Sequence, residues 1–136
     1  MKEQSIPKNC SKEQSIKVVL VKAGERAQIV TVPNTLETFQ HIVDDIITLF
    51  YLDDTHAIIC GDNAKIYGKP LKRAIYDENR NLIEVIAGDF LIVDASGEDF
   101  KSLASADALK FTREFELPED IFLLGNHIMA IPYEPF

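Results

Sequence analysis

The sequence predicts an α+β fold: a mainly antiparallel sheet opened by a β-β-α-β-β unit, then a β-hairpin, a C-terminal helix and a docked apolar tail. Three observations predict it. β-Branched runs recur in pairs around short polar turns, one segment between two such pairs has helical spacing, and 46% hydrophobic with 26% charged residues over 136 positions suffices for one buried core. The expected boundaries are a flexible leader over 1–15, the α+β domain over 16–115 and an apolar C-terminal segment over 116–136.

The elements follow in order. IKVVLVK (16–22) and QIVTVP (28–33) flank the short loop AGERA and read as a hairpin. Asn34 with Glu37 three residues on forms a capping-box pattern, or Thr35 opens the helix instead. Leu36, Phe39, Ile42 and Val43 supply its apolar face, and it ends near Asp44 or Asp45. IITLFYL (46–52) and HAIIC (56–60) form a second hairpin around DDT. KIYGKPLKR (65–73) reads as a shaped loop, bent at Gly68 and stiffened by Pro70. YDENRN is a polar turn, and LIEVIA (82–87) and DFLIVDA (89–95) read as the later hairpin, bulged or bent at Gly88. Ser105 is expected to cap a helix running to about Glu114, with Ala108, Leu109, Phe111 and Phe115 on its buried face. The last twenty residues carry so many large apolar side chains that they must dock on their own chain or on a neighbour.

No apolar run approaches the roughly 20 residues needed to cross a bilayer, and the N-terminus lacks a hydrophobic signal region. A cytoplasmic protein is expected. Cys10 in the polar leader and Cys60 at the end of a strand suggest one exposed and one buried thiol rather than a disulfide framework. The formal net charge is -8, yet residues 65–73 hold four of the fourteen basic side chains, whereas 27–64 hold none. Such an acidic surface disfavours duplex DNA binding. It leaves Arg73, Lys69 and Lys72 as candidate ligands for an anion or a partner, with Arg73 more suited to a structural role on carbonyls or a carboxylate and the lysines to solvated stems.

Other candidates are weaker. His41, Asp44 and Asp45 at i, i+3 and i+4 could approach one metal ion from a helix face, though a polar helix end is the simpler reading. His56 and Cys60 share a strand face about 13 Å apart, too far for a catalytic dyad. The acidic pairs Asp53/Asp54, Glu98/Asp99 and Glu119/Asp120 fit turns or helix starts, and His127 fits a docked tail. Singly scattered glycines offer no phosphate cradle, and no cofactor is expected.

From Gly68 onward, GKPLKRA, a polar turn, an apolar strand ending in AGDF and then EDFKSL form a recognisable pattern. It resembles the uncharacterised family known as domain of unknown function 3846, of bacteria, phages and mobile elements. Gly68, Pro70, Arg73, Ala74, Ala87, Gly88, Phe90, Phe100, Ser102 and Leu103 match, over a resemblance spanning about 16–115; Lys72 stands where the family has asparagine. The resemblance implies membership without an activity. Two functions are therefore expected in competition. One is a non-enzymatic accessory or interaction protein of a mobile element or phage, monomeric or homodimeric, working through a protein partner, with a subclass that imitates DNA as antirestriction proteins do. The other is a small metal-dependent hydrolase or nuclease using carboxylates and His41.

Overall fold

The computed structural model describes residues 14–135, so nearly all of the expected leader lies outside the described residues. Nine strands and two helices follow in the order β1 (Ser15–Val21), β2 (Gln28–Pro33), α1 (Leu36–Val43), β3 (Ile47–Tyr51), β4 (His56–Gly61), β5 (Leu71–Tyr76), β6 (Leu82–Ala87), β7 (Phe90–Asp94), α2 (Ser105–Glu114), β8 (Glu119–Leu124) and β9 (His127–Pro132). The α+β class and the opening β-β-α-β-β unit are as the sequence predicts.

Five strands form an antiparallel sheet in the order β2-β1-β7-β4-β3. Both of its faces are buried. Val19, Val21, Ile58, Cys60, Phe90 and Ile92 point to one side, where they meet Phe111 and Phe115 of the α2 region and Ile75 and Ile86 of the β5–β6 pair. Ile16, Val18, Ile59, Leu91 and Val93 alternate to the other side and meet Phe39 and Val43 of α1. The middle of a central strand covered on both faces has no polar position, which is why residues 18–21 of β1, 57–60 of β4 and 90–93 of β7 read as unbroken apolar runs.

The position of β7 corrects the sequence reading. LIEVIA and FLIVD are not partners: β6 pairs with β5 in a separate two-stranded sheet, and β7 inserts between β1 and β4. The later hairpin is therefore β5–β6, and LKR (71–73) belongs to a strand rather than to the preceding loop. Gly88 is the crossing point between the two sheets. It has φ +78°, its N–H donates to Pro70 O at 2.9 Å, and a Cβ there would lie 3.1 Å from Lys69 Cδ.

Of the two openings offered for α1 the second, Thr35, holds, and the start of α2 differs from expectation. Thr35 caps α1, its Oγ1 accepting from the Thr38 N–H at 3.1 Å. Asn34 is instead buried, and its Nδ2 donates to Phe100 O at 3.0 Å. The α2 N-cap is Ala104, without a side-chain cap, so Ser105 is the first helical residue. Ala108 and Phe111 are buried, whereas Leu109, one residue and about 100° further round from Ala108, is half exposed.

The C-terminal segment folds into an antiparallel hairpin, β8–β9, with its own two-residue turn at Gly125 and Asn126. Positive φ falls on Gly125 alone (63°), the requirement of a type II′ turn. The root of this segment docks on its own chain, whereas its outer half does not: Phe122, Leu123, Leu124, Ile128, Met129 and Ile131 are each 41–70% exposed.

Candidate functional site

The basic segment turns out to be a set of internal fastenings. Lys65 Nζ pairs with Glu84 at 3.0 Å, an exposed contact across to β6. Lys69 Nζ donates to Val43 O at 2.8 Å and Asp44 O at 3.1 Å, closing the C-terminal carbonyls of α1 with a cation. Lys72 Nζ meets Asp120 Oδ1 at 3.1 Å and Tyr133 Oη at 3.2 Å; those hydrogen bonds hold its ammonium above the ordinary lysine range. Lys69 and Lys72 are thus not solvated stems, whereas Lys65 keeps an exposed side chain. Lys69→Ala is expected to cost about 1 kcal/mol, since two helix-terminal carbonyls lose a charged donor. A urea midpoint equal to that of the native chain would contradict this.

Arg73 is 2% exposed. The register of β5 against β6 slips between Leu71 and Arg73, as a bulge does, so consecutive residues serve opposite ends: Lys72 reaches outward to the C-terminal hairpin and Arg73 turns inward. The guanidinium donates to Glu25 O at 2.6 Å, Phe115 O at 3.3 Å and Lys72 O at 3.2 Å. Burial depresses its pKa, with the nearby Glu119 carboxylate and Tyr133 opposing that effect. It joins the β1–β2 loop, β5 and the end of α2, so it carries out the structural role on backbone carbonyls and is not open to an anionic ligand.

The partners of Lys72 lead to the hairpin. Glu119 Oε1 accepts the Ala74 N–H at 2.8 Å, and burial raises that carboxyl's pKa despite the N–H and Arg73. Pro118 is buried, Arg26 pairs with Glu116 at 2.9 Å and with Glu134, and the Ala27 N–H donates to Glu116 O. Glu119 and Asp120 are therefore strand residues that anchor the root, rather than a helix start. Beyond the root the arm is apolar on both faces. Phe122 lies opposite Met129, and Leu124 and Ile131 share their side; Leu123 lies opposite Ile128 on the other. That second side borders an open groove of about 280 Å³ whose far wall is Leu71, Leu82, Ile83 and Val85. His127, expected in a docked tail, is exposed near the tip.

The metal candidates do not converge. His41 is exposed on α1, Asp44 sits in left-handed backbone (φ 59°) with a 92% exposed side chain, and Asp45 accepts from Asn63 N at 2.7 Å and Ile46 N at 2.7 Å. Among the described residues no three His, Cys, Asp or Glu side chains gather as a metal would require. Cys60 is buried, and burial pushes its thiol up to about 11, the property of a core residue rather than a nucleophile.

One cluster escaped the sequence. His56 places Nδ1 2.9 Å from Asp53 and Nε2 3.2 Å from Asp107, with Phe111 edge-on to the ring at 5.1 Å, so it ties the β3–β4 turn to α2. Asp53 was visible three residues away; Asp107, 51 residues distant, was not. Although burial opposes it, the Thr55 N–H and the ring and N–H of His56 bring the Asp53 pKa down to about 2 from 3.8. A lowered acid pKa adds stability that is complete above the unfolded pKa and lost as pH falls through the folded one. The difference in urea midpoint between the native chain and Asp53→Asn is therefore expected to be full at pH 5 and to vanish between about pH 4 and pH 2. A difference unchanged down to pH 2 would contradict this.

The family whose model matches residues 16–116 is described as Domain of unknown function (DUF3846). That match covers well over half of the sequence. The chain belongs to this family. No curated protein and no solved structure matches it. The residues that carry the family pattern prove to be fold residues: Ala74, Ala87, Phe90, Phe100 and Leu103 are buried, Gly68 and Gly88 have positive φ, Pro70 receives the Gly88 N–H, and Ser102 Oγ accepts the Lys17 N–H at 2.9 Å. Arg73 bonds Glu25 and Phe115, both inside the matched span. The β8–β9 arm lies outside the DUF3846 match, which ends at Glu116.

Proposed function

We propose that this chain is a non-enzymatic accessory or interaction protein of a bacterial mobile element or phage, acting in the cytoplasm through a protein partner, with the β8–β9 arm as its contact surface. The single observation that carries this reading is a hairpin firmly fastened at its root and apolar on both faces beyond it. With large side chains of the order of 200 Å² each, its six exposed residues present about 600 Å² in sum over the two faces, a concentration of exposed apolar surface unusual for a segment of a dozen residues. Fixing the root removes ordering cost at the moment of binding. No helix among the described residues is long and apolar enough to cross a membrane. The bacterial mobile setting is part of the proposal, and the family resemblance is what supports it.

The test is a photo-crosslinking amino acid placed in the full-length chain at Leu123, with Ile29 as an exposed control on β2. Irradiated cells are expected to give a discrete crosslinked protein species from position 123 and none from 29. Absence of any species from 123 would refute the arm as a contact surface.

A further inference from the structure

We infer that the partner surface of the arm is a second copy of this chain, joined through the free edge of β9. This rests on the reading of the arm as an interaction surface and names its occupant.

The backbone sets the geometry. The Tyr133 N–H donates to Pro118 O at 3.0 Å, which fixes the alternation along β9: His127, Met129 and Ile131 turn their backbone groups toward β8. Ile128 and Ala130 therefore point their N–H and C=O away from the hairpin, where the sheet order gives β9 no second neighbour among the described residues. Folded proteins usually blunt such an edge with charge, proline or a bulge. Residues 121–131 contain no Asp, Glu, Lys or Arg, and Pro132 lies only at the end of the strand.

An antiparallel strand edge is self-complementary under a two-fold axis. Centred on Met129, the pairing sets Ile128 against Ala130 of the second copy and Ala130 against Ile128, giving four backbone hydrogen bonds. Met129 then faces its counterpart as a non-hydrogen-bonded pair, and Pro132, which has no N–H to offer, falls outside the paired segment. A heterologous partner would need a free strand of its own, whereas this chain supplies both edges. Two chains of net charge -8 repel, and this uncharged arm is where they can meet. Of the six exposed apolar side chains of the arm, Ile128, Met129 and Ile131 lie on β9 itself, beside the added strand.

Light scattering on the full-length protein is expected to give twice 15.3 kDa, with dimerisation strengthened by salt as the charges are screened. Ala130→Pro removes an outward N–H and leaves the β8–β9 ladder intact, so it is expected to weaken the dimer roughly thirtyfold, by two hydrogen bonds, with the urea midpoint of the monomer preserved. Met129→Cys in a Cys10→Ser background is expected to form an intermolecular disulfide in air, because non-hydrogen-bonded pairs bring Cα atoms to about 4.5 Å; Leu109→Cys, exposed on α2, serves as the control and should not. A dimer that ignores Ala130→Pro, or in which Met129→Cys fails to crosslink, overturns the β9 edge as the interface. A monomer at high concentration whose Leu123 crosslinker captures a different protein overturns the second copy and leaves the arm's contact role standing. A monomer that captures nothing overturns both.

Discussion

Arg73→Ala is expected to lower the stability of the fold by about 3–5 kcal/mol, from three acceptors at the lower part of the about 1–3 kcal/mol that each unsatisfied buried group costs. Three carbonyls, those of Glu25, Lys72 and Phe115, lose their donor in a space that the alanine does not fill. Arg73→Lys is not expected to recover the loss, since one ammonium cannot span carbonyls that the planar guanidinium bridges. Lys72→Ala, a partly exposed pair, should cost less than about 1 kcal/mol, and Lys69→Ala should fall between the two. Urea midpoints for the four variants decide the order. Equal midpoints, with loss of anion binding confined to the arginine variant, would return Arg73 to the role of a ligand-binding residue.

Truncation after Glu116 is expected to cost about 2–4 kcal/mol and to leave a folded, soluble protein. The loss arises at the root, where the Ala74 N–H gives up a carboxylate acceptor, Lys72 gives up Asp120 and Tyr133, and the buried Pro118 is removed. The outer arm contributes little to its own chain, so the double variant Phe122→Ser, Leu123→Ser should move the midpoint by less than about 0.5 kcal/mol. Denaturation monitored by far-UV and near-UV circular dichroism separates the cases. A truncated chain that is molten or insoluble would show that the arm completes the core, and a truncated chain as stable as the native one would show that its root fastens nothing.

Much of the architecture was legible because it is local. The two hairpins of residues 15–61 announce themselves by matched β-branched runs around short turns, and α1 by the spacing of Phe39 and Val43. The polar turn before Leu82 and the backbone break at Gly88 were equally plain, since both express intrinsic preferences of a few residues. LKRAIY does not announce itself as a strand, because a run containing lysine, arginine and tyrosine lacks the period-2 contrast of a half-buried strand. The bulge at Lys72 disrupts that period further.

What the sequence by itself determined about this protein is its α+β class, its opening hairpins and first helix, its family, and the need for something to cover the apolar C-terminus. Only the tertiary structure decided which strand lies beside β7, because pairing between β1, β4 and β7 closes loops of tens of residues and depends on total burial rather than on any local preference. The same holds for the cations. A lysine on a surface and a lysine bridging Asp120 and Tyr133 are identical letters, and the partners of Lys69, Lys72 and Arg73 lie 25 to 61 residues away apart from the neighbouring Lys72 carbonyl. Apolar surface likewise has no direction in a sequence: it drives burial in proportion to area, and only the fold showed that the root of the arm satisfies that drive within the chain while its outer half does not.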